Sequence, residues 1–315
     1  MSTPPQPEQI QPVPDLVAGA APSTPVQRQD QPPRPMWRQV LRVFLQNKLA
    51  VVGLALVVFF FLFCFIGPLL YHSNQVLSNL RTADLPPGSP GFPLGTDDVG
   101  YDELGRLMVG GQSALEIGLA AAAIATVFGS LWGAVAGYLG GWVDAVMMRV
   151  VDTFLAIPSL FLVLLLASII TPTQLLLILV IAFSAWLSPA RLVRGETLSL
   201  RTREYVQAVK MMGGGSRRSI LRHILPNAVG TIVVNATFQI ADAILTLAAL
   251  TFLGFGIAPP HADWGGMLSD GTQFTSNGYW WMIVWPGLCI VLIVVAFNFL
   301  GDALRDAFEV RLRKR

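Results

Sequence analysis

Few residues in this chain could do chemistry, and their spacing limits what that chemistry can be. Three histidines, His72, His223 and His261, and two cysteines, Cys64 and Cys289, are spread over 315 residues. No H-E-x-x-H pair, G-x-S-x-G elbow or C-x-x-C clip occurs, so no zinc hydrolase, serine hydrolase or thiolate metal site is written into the chain. Asp97 with Asp98, and His261 with Asp263, are acid-bearing pairs without the further ligands that a bound cation needs. A phosphate-gripping G-x-x-x-x-G-K-[ST] is missing as well: Gly213, Gly214 and Gly215 are followed by Ser216 and Arg217, with no lysine. What remains is binding rather than bond-making. Thr231, Asn235, Gln239, Asp242 and Thr246 recur at i, i+4, i+8, i+11 and i+15, an interval pattern that keeps one helical face. Facing lipid, that stripe would leave its hydrogen bonds unmet at several kcal/mol per group. It therefore faces protein or water. Two readings stay open: a water-filled path, or polar glue between helices.

The elements that hold this stripe are membrane helices. The chain is 53% hydrophobic and 13% charged, with a mean hydropathy of +0.59, whereas soluble domains carry roughly a quarter charged residues. The net charge of +2 gives no basic field for nucleic acid. Uncharged runs of about 20 residues suffice to cross a bilayer, and they predict six spans near 49–70, 114–138, 151–170, 174–189, 228–254 and 280–301. The fold class is an all-α polytopic membrane protein. Thr171-Pro172-Thr173 makes the turn between the third and fourth spans, while Pro158 and Pro286 are expected to kink the third and sixth. Arg149 and Asp152, three apart, are expected to pair within one helix. Nineteen of the 21 Lys and Arg residues then fall on one side, leaving Arg81 and Arg106 among acids on the other. By the positive-inside rule the basic side, with both termini, is cytoplasmic. Trp37 and the group Tyr279, Trp280, Trp281 and Trp285 read as interfacial belts. Residues 1–35, with ten prolines, read as a disordered tail.

The most informative segment is the basic loop between the fourth and fifth spans. Tyr205, Ala208, Val209 and Met212 recur at helical spacing and predict a short amphipathic helix that the glycines at 213–215 terminate. A second helical stretch runs from Ser216 to Leu225 and stops at Pro226. Composition alone leaves two readings: a docking element for another chain, or a solvated basic loop near anionic lipid.

Here the chain resembles the membrane subunits of ATP-binding-cassette importers of the oligopeptide/dipeptide type. Their signature is Glu-Ala-Ala, three residues, Gly, then a Leu-Pro whose proline lies thirteen residues beyond. The matching residues are Gln207-Ala208-Val209, Gly213 and Leu225-Pro226, with Gln207 in place of Glu and Val209 in place of the second Ala. The resemblance extends to Asn47–Gly53, to Leu94–Gly100 with Leu104, Arg106-Leu107 and Gly110, and to Asp144, Arg149, Asp152 and Pro158. It continues through Thr246–Gly256, Pro259-Pro260 and Trp264-Gly265, with Tyr101 and Leu247 standing where Arg and Glu are usual. It covers residues 37–308.

The resemblance implies a bacterial or archaeal plasma-membrane permease that is not itself an enzyme and binds no cofactor. Its expected partners are a second permease, two cytoplasmic ATPase subunits that hold ATP and Mg, and an extracytoplasmic binding protein. Docking falls to Glu204, Tyr205, Gln207, Ala208, Gly213, Arg217, Leu225 and Pro226, and the path to Asn235, Gln239, Asp242 and Thr246. The expected organisation is a tail over 1–35, a first helix and outer loop over 36–112, a five-helix core over 113–308 with the docking loop at 190–226, and a basic tail at 309–315. The ligand is expected to be a di- or oligopeptide, with a nickel chelate as the alternative. A passive channel would leave the glycine-hinged loop without a partner, and an intramembrane enzyme lacks its motifs.

Overall fold

The computed structural model describes residues 44–73, 77–169, 171–258 and 260–313, with side chains described through residue 308. The expected disordered tail over 1–35 and the Trp37 anchor lie outside the described residues. Among those described there is no strand; two isolated bridges, Ser89 with Phe92 and Thr96 with Asp102, tie one loop.

Four helices are long and apolar enough to cross a membrane alone: α1 (Lys48–Leu70), α2 (Glu103–Leu139), α8 (Ser216–Phe252) and α10, which runs Trp281–Arg313. Between α2 and α8 lie α3 (Gly141–Leu155), α4 (Ser159–Ile169), α5 (Gln174–Ala185), α6 (Leu187–Leu200) and the short α7 (Glu204–Met211). A further helix, α9 (Trp264–Gln273), precedes α10. Counting each bent pair as one span gives six, the number expected.

The third and fourth spans depart from straight rods. At Pro158 the chain does not kink but breaks, and α3 and α4 diverge by 81°. Proline removes a donor and disfavours helical backbone in the residue before it. With 11 residues, α4 is about 16 Å long, about half of a hydrocarbon core. The fourth span bends by 42° between α5 and α6, and α6 continues to Leu200, well past the expected end at 189. The second, fifth and sixth spans also outrun their expected limits, because charged residues extend these helices beyond the apolar window. The last helix continues through Arg313.

Helix α2 is the central post, packing on α1, α3, α5, α6 and α8. Its seam with α6 is made of glycine. A Cβ on Gly129 would come within 2.4 Å of the Trp186 carbonyl, on Gly133 within 2.1 Å of the Ala190 carbonyl, and on Gly137 within 2.9 Å of the Arg194 carbonyl. Spacing of four residues puts all three on one face, so the two backbones touch, the close approach that small residues permit in membranes. The main core then gathers Leu115, Ile117, Ala121, Ile181, Ile244 and Ile293 from α2, α5, α8 and α10.

The end of α2 that carries Asp97 to Arg106 is here called the acidic end. The opposite one, where α6, α7 and α8 meet, is the basic end.

Candidate docking loop and membrane stripe

At the basic end α6 runs out at Leu200, and α7 begins four residues later. Val206 is the one α7 side chain that is fully buried. Tyr205, Ala208, Met211 and Met212 are exposed, the two methionines at 88% and 79%. The apolar face expected from Tyr205, Ala208 and Met212 is therefore present but points away from the rest of the chain, with Val209 half-buried between them. Glu204, Gln207 and Arg217 are exposed too.

The three glycines differ in kind. Gly213 has φ +78°, a left-handed conformation that side chains resist, and its N–H donates to the Lys210 carbonyl at 3.1 Å. A Cβ on Gly214 would lie 2.4 Å from Val209 Cγ1, whereas nothing lies within 4 Å at Gly215. Beyond the turn the sequence expectation needs correcting: Pro226 does not end a helix. The chain passes through a π-turn at Ile220–Ile224 and on into the long part of α8. Leu225 donates five residues back to the Ile220 carbonyl, a register shift that lets the proline sit at the start of the following helix. Leu225 is half-buried and Pro226 exposed.

The roots of this loop are fastened. Ile220, Ile224 and Ala228 pack with Val193 and Leu200 of α6 and Ala134 of α2. Gln207 Nε2 donates to the Arg201 carbonyl at 2.9 Å, and Arg201 Nη1 donates to the Gly137 carbonyl at 2.9 Å. The glutamine is thus functional as a donor, a bond an ionised glutamate could not make. Arg194 forms a two-pronged pair with Asp144 of α3 at 2.5 and 2.7 Å. Asp152 pairs with Arg191 of α6 at 2.5 Å and not with Arg149 of its own helix as expected, because α6 packs against α3 at this level.

The stripe on α8 is less uniform than its spacing. Asp242 is exposed, Thr246 is half-buried, and Asn235 Oδ1 is buried without a hydrogen-bond partner. Gln239 is only 5% exposed, and its Nε2 donates to the Ala185 carbonyl at 2.5 Å. That carbonyl is the one that Pro189, four residues on, leaves without a helical donor. A second joint has the same chemistry: Gln112 Nε2 of α2 donates at 2.7 Å to the Cys64 carbonyl of α1, which Pro68 leaves free. Sequence reasoning missed both joints, although each is signalled by a proline inside an apolar run.

The acidic end is closed by side chains. Asp102 caps α2 by accepting from Gly105 N–H at 3.0 Å. Asp97 accepts from the N–H groups of Val99 and Tyr101 at 3.2 and 2.7 Å and faces Arg106 at 3.6 Å. Burial nonetheless pushes the Asp97 carboxyl up to about 6, against the downward pull of those donors and of Arg106. Tyr101 lies under the Arg106 guanidinium at 4.8 Å. Trp264 Nε1 donates to the Leu107 carbonyl and Trp281 Nε1 to the Thr96 carbonyl. Trp281 is 5% exposed, so it is a clamp rather than a belt residue, whereas Trp280 is 51% exposed. Asp263, half of one acid-bearing pair, caps α9 through Gly266 N–H. Among the described residues no group of three His, Cys, Asp or Glu could hold a metal ion.

A bundle of apolar helices, four to six of them able to cross a membrane among the described residues, defines a multi-pass membrane protein. Residues 129–314 match the family of binding-protein-dependent transport system inner membrane components, and residues 35–87 match the N-terminal transmembrane domain of oligopeptide transport permease C. The chain belongs to this family. It is 38% identical to the oligopeptide transport system permease protein OppC of Bacillus subtilis over 279 residues, 89% of this chain and 91% of that one. It is 37% identical to the dipeptide transport system permease protein DppC of the same organism, over 88% of this chain and 85% of that one. Against OppC of Haemophilus influenzae the identity is 35%, over 89% and 90%. The protein is thus a multi-pass permease component of an importer complex, and a transport subunit rather than an enzyme.

Proposed function

We propose that this chain is one of two permease subunits of an importer for di- or oligopeptides, driven by ATP bound with Mg in two cytoplasmic ATPase subunits and supplied by an extracytoplasmic binding protein. The basic end, with both termini, faces the cytoplasm. The observation that carries the reading is α7: an apolar face of Tyr205, Ala208, Met211 and Met212, exposed in the chain alone while its root is bonded to α2 and α6. A short helix whose root is bonded to the bundle while its apolar residues stay exposed is built to be covered by a partner. Glu204, Gln207, Gly213 and Arg217 shape the segment that seats in the ATPase, and Leu225-Pro226 starts the helix that leads back into the bilayer. The printed names of the relatives supply the peptide class.

The path through the membrane runs past Asp242, Asn235 and Thr246, with Gln239 committed to the wall behind them. Asp242 offers a negative charge to the cationic groups of a peptide or to ordered water. An intramembrane acid facing lipid would cost about 2.5–3.5 kcal/mol, and its exposure in the isolated chain fits a water-filled space shared with the second permease.

The test is a reconstituted complex in proteoliposomes, with a radiolabelled peptide delivered by the binding protein. ATP-dependent accumulation of peptide is expected. Gly213→Pro should abolish copurification with the ATPase, because proline cannot adopt a φ of +78°. Asp242→Ala should lower uptake while assembly and basal ATP hydrolysis persist. Intact association in the first variant, or unchanged uptake kinetics in the second, overturns the corresponding assignment. Mass spectrometry of ligand retained by the binding protein separates a peptide from a nickel chelate.

A further inference from the structure

Both arms of the docking loop meet again inside the membrane. One arm is α6, which leads down from the Ala185–Leu187 bend to Leu200; the other is α8, which climbs from Ser216. They are joined near the loop by the contacts of Leu200 and Val193 with Ile220, Ile224 and Ala228. A second joint lies just across the bend, where the Gln239 amide of α8 fills the carbonyl of Ala185, the last residue of α5. Measured along α6, with 14 residues, that second joint lies about 20 Å from the loop. Gln239 is three residues, less than one helical turn, from Asp242.

Two joined levels turn α6, the docking loop and α8 into a closed frame. Without the Gln239 bond the frame would be held at the bend by apolar packing of α5 and α6 on α8 alone, where Pro189 has already removed a backbone bond. We infer that Gln239 is a positioning residue for transport: its amide closes this frame, so that a displacement of the docking loop reaches the level of Asp242 instead of being absorbed at the 42° bend. The inference rests on the permease reading above. It assigns Gln239 to force transmission and not to contact with the ligand.

The Gln112 joint supplies an internal control. It has the same donor, the same kind of freed carbonyl and a comparable distance, but it links α2 to α1, and neither helix continues into the docking loop. Loss of either amide leaves a part-buried carbonyl unsatisfied; only loss of Gln239 removes the polar bond across the frame.

The experiment measures peptide accumulated per ATP hydrolysed by the whole complex in proteoliposomes. Gln239→Leu should assemble, hydrolyse ATP and show a ratio about 3- to 30-fold lower than the parent, the range expected when a coupling element is lost. Gln112→Leu should lower thermal stability and leave the ratio unchanged. Adding Pro189→Ala, which returns a donor to Ala185, should raise the ratio of Gln239→Leu. If Gln239→Leu does not assemble, the isosteric Gln239→Glu decides: only its protonated form donates, so the ratio should fall as pH rises, relative to the parent at the same pH. An unchanged ratio in Gln239→Leu, an equal fall in Gln112→Leu, or a pH-independent ratio in Gln239→Glu overturns the inference. Absence of ATP-driven peptide uptake by the parent complex would instead overturn the permease reading itself.

Discussion

The two ends of α2 solve opposite problems with the same kinds of residue. At the acidic end, Asp97, Asp102 and Arg106 are buried, and two tryptophan N–H groups donate to backbone carbonyls from α9 and α10. Its polar groups are buried but only partly satisfied within the chain: Asp102 Oδ1, Glu103 Oε1 and Arg106 Nη1 have no hydrogen-bond partner among the described residues. At the basic end, Asp152 and Arg191 pair with side chains about half exposed, and the apolar side of α7 has no cover. The difference is one of burial. Polar groups that are buried and bonded fix one geometry, whereas an exposed pair contributes about 0–1 kcal/mol. The first end is closed by buried side chains, whereas the second leaves Met211 and Met212 exposed.

Substitutions can break this contrast. The largest effect should come from the seam that joins the two ends. Gly133→Leu puts a side chain where even a Cβ meets the Ala190 carbonyl at 2.1 Å, so folded, monodisperse protein should be lost from detergent extracts. Gly195→Leu, on α6 with nothing within 4 Å, should extract normally.

Next in size is a pH effect confined to the acidic end. Asp97 binds its proton more tightly folded than unfolded, since burial raises its carboxyl from 3.8 to about 6. Its contribution to stability is complete below pH 4 and is lost as pH rises through about 6, a change of about 3 kcal/mol. Thermal unfolding in nanodiscs should shift to lower temperature across that window. Asp97→Asn should abolish the dependence, and an unchanged profile would refute it. Trp281→Phe should follow, costing about 1–3 kcal/mol because the Thr96 carbonyl loses its buried donor; thermal unfolding in nanodiscs measures it. Smallest in the chain alone is Met211→Ser with Met212→Ser. Unfolding should shift by less than about 0.5 kcal/mol for such exposed side chains, yet ATPase association should weaken. A stability loss as large as that of Trp281→Phe would erase the distinction between the ends.

Much of this was legible in the sequence because membranes write long, simple signals. Uncharged runs located the crossings, and the sidedness of Lys and Arg separated the two ends. The α7 helix and its glycine stop followed from the spacing of Tyr205, Ala208 and Met212 and from Gly213. What periodicity could not supply was direction. It placed Gln239 and Asp242 on one stripe, but a stripe has edges, and Gln239 at one edge reaches the bend while Asp242 stays exposed. The same limit applied to Trp281, which composition put in an interfacial belt and tertiary contact put under Thr96. Asp152 chose Arg191 over the nearer Arg149 because packing between α3 and α6 outranked sequence distance. The 81° break at Pro158 exceeded a kink because the extent of a proline bend depends on what packs around it.

The glycine seam between α2 and α6 has a mechanical corollary. Two backbones in contact, with α6 carbonyls facing three glycine positions, fit like a key in a keyway. Sliding α6 by a single residue would carry those carbonyls off the glycines and against side chains. The seam therefore admits one register and no gradual slip. A rearrangement that keeps this seam carries α2 and α6 together as one plate.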